Sequence, residues 1–174
     1  MSMRKLAIAT GLLLTLGAAA LAEGPQLGKP ISPKDFAAWD LNILPDGSNL
    51  PPGSGRAPDG GKIFAEQCAL CHGDGGKGGR AARLVGGPPK ATLDGGKTIA
   101  NYWPYATTLF DFIRRAMPFP APRTLSDDQV YALCAYILSE NKLIGEGDVM
   151  NAQTLPKVRM PNRDNFVVQF PDRI

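Results

Sequence analysis

Cys68-Ala69-Leu70-Cys71-His72 sets two thiols three positions apart and follows the second at once with an imidazole. Thiols at this spacing can add across the two vinyl groups of one porphyrin, and the histidine then brings a ring nitrogen to the iron. The run is the attachment sequence of a c-type haem. The expectation is one covalent haem c, held by Cys68 and Cys71 and ligated by His72. Zinc sites and thiol redox sites also use Cys-x-x-Cys. A four-ligand Cys/His zinc site would consume all three cysteines and the one histidine of the chain, and Cys134 lies far off in an apolar helical pattern. A thioredoxin-like site wants a βαβ frame, and none is visible.

The sixth iron ligand follows by elimination. Without a second histidine, bis-histidine ligation is impossible, and beyond the N-terminal leader only Met117, Met150 and Met160 remain. Met117 stands before Pro118-Phe119-Pro120, far enough from His72 for the chain to reach the opposite haem face. Proline-flanked backbone would hold the sulfur without relying on the flexible methionine stem. Met117 is therefore the expected second metal ligand; the alternative is a core or surface methionine beside an open iron. A thioether raises the iron's potential and fills the position where oxygen or peroxide would bind, which suits electron transfer and leaves no side chain with a catalytic role. A peroxidase-like enzyme would want a distal acid or base.

The elements that must position these groups read as short helices. Asp59 can cap a helix carrying Ile63, Phe64 and Gln67 into the haem motif. Glycines from Gly73 to Gly79 then turn the chain tightly. Leu109, Phe112, Ile113 and Ala116 recur at helical spacing in a segment from Thr107 to Ala116. The terminal helix has the clearest start: Ser126 with Gln129 forms a capping box, Asp127 and Asp128 favour the positive helix end, and Val130, Leu133, Cys134, Ile137 and Leu138 make an apolar stripe. Cys134 is most simply a buried free thiol.

Arg4 and Lys5 precede an apolar run ending in Ala20-Leu21-Ala22, so residues 1–22 read as a cleaved signal peptide and the mature chain as periplasmic. The run is short for a membrane span, and no other stretch approaches that length. Loss of Arg4 and Lys5 lowers the formal charge from +3 to +1, which excludes a strongly basic nucleic-acid binder. The expected organisation is an N-terminal arm at 23–57, a haem domain at 58–145 and a C-terminal arm at 146–174. Both arms hold apolar side chains without sustained period, and a short extended segment is expected near Phe166–Gln169.

The order of helix, haem motif, methionine and terminal helix resembles class I cytochrome c. The run from Asn101 to Asp111, containing Tyr102-Trp103-Pro104-Tyr105, the run Ile113-Arg114-Arg115-Ala116-Met117-Pro118-Phe119, and Asp128 to Ala132 are similar to the mono-haem cytochrome subunits of bacterial sulfite and sulfane dehydrogenases. Met160-Pro161-Asn162-Arg163 recurs in that family's tail, so the resemblance covers roughly residues 60 to 163. It implies an all-α fold, about four short helices around one covalent haem with extended terminal arms. It also carries Cys68, Cys71, His72 and Met117 over as haem residues, and sets Gly61 and Phe64 against Tyr136 where the first and last helices cross.

The function so implied is electron acceptance, one electron at a time, from the catalytic subunit of a molybdopterin sulfite or sulfane dehydrogenase, with delivery to a downstream cytochrome or oxidase of the respiratory chain. The alternatives are a general periplasmic shuttle serving, for example, an alcohol dehydrogenase, and a haem enzyme or sensor. Nothing implies nucleic acid or a membrane span in the mature chain. A carbonyl at Pro88 or Pro89 could engage the free nitrogen of His72, and Arg83, Tyr102 and Trp103 could reach the haem propionates.

Overall fold

Proline and glycine punctuate this chain so often that no described helix exceeds 14 residues. Helices this short are marginal alone and depend on tertiary packing. The structure, a computed structural model, describes residues 27–37, 39–87 and 96–167. The expected signal peptide therefore lies outside the described residues. The chain divides into two compact units, Met1–Asp40 and Leu41–Ile174. In the first, helix α1 (Pro33–Ala37) begins where Ser32 Oγ accepts a hydrogen bond from the Asp35 amide at 3.2 Å.

The first strand of the second unit is β1 (Ser54–Arg56), followed directly by helix α2 (Ala57–Gln67) and the short helix α3 (Ala69–His72), which has Cys68 at its N-cap and carries Cys71 and His72. Asp59 does not cap α2. The helix starts three residues earlier, with Arg56 at the N-cap and a proline in its first turn, and Asp59 instead pairs with Lys62 at 3.5 Å. Helices α4 (Ile99–Tyr102), α5 (Ala106–Ala116) and α6 (Asp127–Glu140) follow. Strand β2 (Val149–Asn151) then returns antiparallel to β1, with Gly55 opposite Met150.

The Ser126 and Gln129 capping box on α6 forms as expected, but the helix is not striped. Tyr131, Ala132 and Ala135 are buried along with Val130, Leu133, Cys134, Ile137 and Leu138. A helix apolar all round is a central one, and α6 is enclosed by α2, α5 and β1. The tightest crossing is at Gly60, whose missing Cβ makes room for the Ala132 carbonyl. Its neighbour Gly61 lies under the Tyr136 ring, which meets Phe64 with 5.1 Å between centroids. On α5 the buried residues are Ala106, Thr107, Leu109, Phe110 and Ile113, and the Phe110 ring meets Tyr131 at a tilt, with 4.4 Å between centroids.

Segments read from sequence as arms contribute to the same core. Ile43, Met150, Leu155, Val158 and Met160 are all buried. Arg115 donates through Nη2 to the Leu41 carbonyl and to Asn42 Oδ1, both at 2.9 Å, tying that segment to α5. The described strand after α6 is β2; of the extended segment expected near Phe166–Gln169, Phe166 has extended backbone and residues 168 and 169 lie outside the described residues.

Candidate functional site

The glycine-rich turn after α3 folds back on the thiol-bearing helix. The Gly78 amide donates to the His72 carbonyl and the Ala81 amide to the Cys71 carbonyl, both at 2.8 Å. At Gly73, with φ at 76°, a Cβ would lie 2.8 Å from the Gly78 carbonyl carbon, so this turn requires glycine. The chain then passes across the imidazole, and His72 Nδ1 lies 2.7 Å from the carbonyl of Ala82. A carbonyl only accepts, so Nδ1 carries the proton and Nε2 keeps its lone pair for a metal.

The segment holding Ala82 is itself stitched down. Leu84 and Val85 amides donate to the Gly76 carbonyl at 2.8 and 3.0 Å. From the end of α6, Asn141 accepts from the Gly86 amide at 2.8 Å and donates to the Leu84 carbonyl at 3.3 Å. Thr98, at the start of α4, donates to the Gly86 carbonyl at 2.6 Å. The expected Pro88 and Pro89 lie outside the described residues, and the carbonyl partner the structure provides is Ala82. Sequence reasoning missed it because any residue type supplies a carbonyl. Asn141 and the Thr98–Asn101 capping box, three apart, were the readable signals of this bracing.

Cys68, Cys71, His72 and Met117 all line one cavity of about 820 Å³. Its walls are largely apolar, with Phe64, Ile99, Phe112, Ile113, Leu133 and Ile137 among them. Met117 arrives at the C-cap of α5 in extended conformation, just before the Pro118 turn. Met150 and Met160 do not line this cavity; both are buried in the core, with Met150 on β2. The elimination made on sequence thus finds one methionine at the cavity. Leu70 and Phe119, 78% and 84% exposed, stand at its mouth. Trp103 and Arg83 line it, joined by Arg80 and Lys97, which sequence reasoning overlooked. Tyr102 does not; its ring lies between Lys97 and Phe166.

This arrangement fits a haem. The volume is that of a cofactor pocket, the walls suit an apolar macrocycle, and a thioether and a metal-ready imidazole both reach it. It fits a dithiol redox centre poorly. Burial, with a smaller contribution from Cys71, pushes the Cys68 thiol up to about 11, whereas reactive dithiols need a depressed value.

Comparison with known proteins agrees. The family model described as cytochrome c oxidase, cbb3-type, subunit III, matches residues 55–137. A thiosulfate dehydrogenase from Stutzerimonas stutzeri (strain A1501) is 32% identical over 123 residues, which are 62% of this chain and 38% of that protein. The chain thus spans less than half the length of that curated relative. A chain in the crystal structure of the sulfane dehydrogenase SoxCD from Paracoccus pantotrophus is 39% identical, with a TM-score of 0.75 over 86% of this chain and 73% of that one. The chain belongs to the c-type cytochromes related to sulfur-oxidation systems.

The helical frame of the cytochrome is accordingly the class I fold with haem as its cofactor, and a small two-stranded ladder is added to it. Two signature runs of the cytochrome, far apart in sequence, meet in space. Asn162 is buried and donates to the Tyr102 carbonyl at 2.6 Å, while the Arg163 guanidinium lies 4.3 Å above the Tyr105 ring. Among the described residues no helix is long and apolar enough to cross a membrane.

Proposed function

We propose that this cytochrome carries one covalent haem c on Cys68 and Cys71, ligated by His72 Nε2 and the Met117 sulfur. In this reading it accepts single electrons from a molybdenum-dependent sulfite or sulfane-sulfur dehydrogenase in the periplasm and passes them to the respiratory chain. Residues 1–22 serve as the export signal. The observation that carries the reading is the joint presence of the two thiols, His72 and Met117 at one apolar cavity, in a chain whose likeness to a sulfane dehydrogenase structure extends over 86% of its length.

The haem supplies a one-electron redox centre. The residues around it do the rest. Ala82 fixes the His72 tautomer and sharpens it as a donor ligand. Met117, which lines the cavity with His72, would hold the iron through its sulfur, leaving the site to store charge rather than bind a substrate. Leu70 and Phe119 expose apolar surface beside the cavity, which gives a partner a contact that forms and breaks without a heavy desolvation penalty. With a mature formal charge near zero, association is expected to depend only modestly on salt.

Stopped-flow mixing of the oxidised cytochrome with purified sulfite or sulfane dehydrogenase from the same source, plus its substrate, tests the proposal. Haem reduction well above the partner-free rate is expected, and Phe119→Glu should slow it without loss of haem. Reduction no faster than the control, together with rapid reduction by an alcohol dehydrogenase, would instead make this a general shuttle.

A further inference from the structure

Charge is distributed unevenly around the cavity. Among the described residues its charged lining groups are Arg80, Arg83 and Lys97, all cations from one stretch of chain, with no carboxylate beside them. A haem brings two carboxylates of its own, and withdrawing them from water without a partner is expensive. Two of these cations are not simply loose surface groups. Arg83 is anchored by its Nε donating to the Val85 carbonyl at 2.6 Å, which leaves its terminal nitrogens available. The Lys97 ammonium sits 4.4 Å from the centre of the Tyr102 ring. That ring is braced from another side by Phe166, edge-on at 5.6 Å and 73°. Its backbone is held as well, through the bond from Asn162.

We infer that Lys97 and Arg83 bind the haem propionates, and that the C-terminal segment positions Lys97 for this through the edge-on contact of Phe166 with Tyr102. The inference rests on the haem reading above. Lys97 then acts as a fixed positive charge that favours the reduced iron, and Phe166 and Tyr102 are positioning residues that touch neither haem nor iron. The tail thereby becomes part of the control of redox potential.

The test is spectroelectrochemical titration of the purified holocytochrome, reading the ferrous-to-ferric ratio at a fixed ambient potential. Lys97→Met should lower the ratio about threefold, which is ~30 mV for a one-electron couple. Lys62→Met, which removes the same charge from a helix-surface pair with Asp59, should leave it nearly unchanged. Phe166→Ala and Tyr102→Leu should each lower it in the same direction, Tyr102→Phe should restore it, and neither should add to the effect of Lys97→Met.

If Lys97→Met and Lys62→Met shift the ratio equally while the haem spectrum stays normal, the propionate assignment is overturned. If Phe166→Ala has no effect, or adds fully to Lys97→Met, the role of the tail is overturned. Absence of any c-type haem spectrum in the unaltered protein would overturn the cofactor reading instead, so the two failures are distinguishable.

Discussion

Nδ2 of Asn162 donates to the carbonyl of Tyr102 across 2.6 Å, and Asn162 is only 2% exposed. Tyr102 ends a four-residue helix, and its neighbour Trp103 lines the haem cavity. A side chain from beyond the last helix therefore satisfies backbone directly behind the cavity wall. Asn165 completes the arrangement by donating to Asn162 Oδ1 at 2.8 Å.

Replacing Asn162 with alanine leaves the half-buried Tyr102 carbonyl without this donor. Such a loss costs about 1–3 kcal/mol. Arg163→Ala, which removes an exposed cation–π contact, should cost only about 0.5–1 kcal/mol. Guanidinium unfolding of the two variants checks the order; equal losses would mean that the buried bond contributes no more than the surface one.

The three methionines should separate cleanly by spectrum and stability. Met117→Ala should abolish the long-wavelength sulfur-to-iron band of the oxidised protein, whereas Met150→Ala and Met160→Ala should keep it. The latter two residues are 4% and 1% exposed, so truncating either should cost about 2–5 kcal/mol of folding stability. Survival of the band in Met117→Ala would refute the ligand assignment.

Two adjacent glycines should respond differently to alanine. At Gly60 a Cβ would stand 2.5 Å from the Ala132 carbonyl carbon and 2.8 Å from Tyr136 Cβ, so backbone must move. At Gly61 the nearest atoms belong to the Tyr136 ring at 3.3 Å, and a ring can tilt. Gly60→Ala should lose about 3 kcal/mol or more, and Gly61→Ala within about 1 kcal/mol of neutral. Thermal unfolding of both variants decides the matter.

Cys134 is fully buried, and desolvation raises its pKa well above the ordinary 9.0; burial likewise pushes Tyr131 up from 10.0 to about 12. Folded-state values raised in this way give stability that is complete below the unfolded values and lost as pH rises through them. Above pH ~9 the unfolded chain sheds a proton that the folded one keeps, so stability should fall by up to ~1.4 kcal/mol per pH unit for each group. Cys134→Ala should flatten the first part of that decline in guanidinium unfolding. Alkylation should find no reactive thiol in the native holoprotein and a single one, Cys134, after denaturation. Three would show that Cys68 and Cys71 hold no thioethers.

What the sequence disclosed was local. The thiols, His72 and the Ser126–Gln129 box are recognisable because residues a few positions apart do the work. Met117 could be singled out because so few candidates competed, and of the three it is the one that lines the cavity. The Ala82 carbonyl was hidden because it belongs to backbone, and α4 because four residues carry no period. Met150, Leu155 and Met160 read as tail because their burial is created by pairing with chain far upstream. On α6 the expected stripe proved too narrow, since neighbours surround that helix on more than one side.

The β1–β2 ladder joins chain flanking the first helix of the haem domain to chain made after the last. Contacts of such wide sequence separation close slowly, because the loop entropy must be met before they contribute. During synthesis Cys68 and Cys71 are complete long before Val149–Asn151 exists. The two thiols thus pass through a period in which the domain cannot yet shut over them. On the covalent-haem reading proposed above, export of the still-open chain would give attachment machinery access to residues that the finished core half-buries.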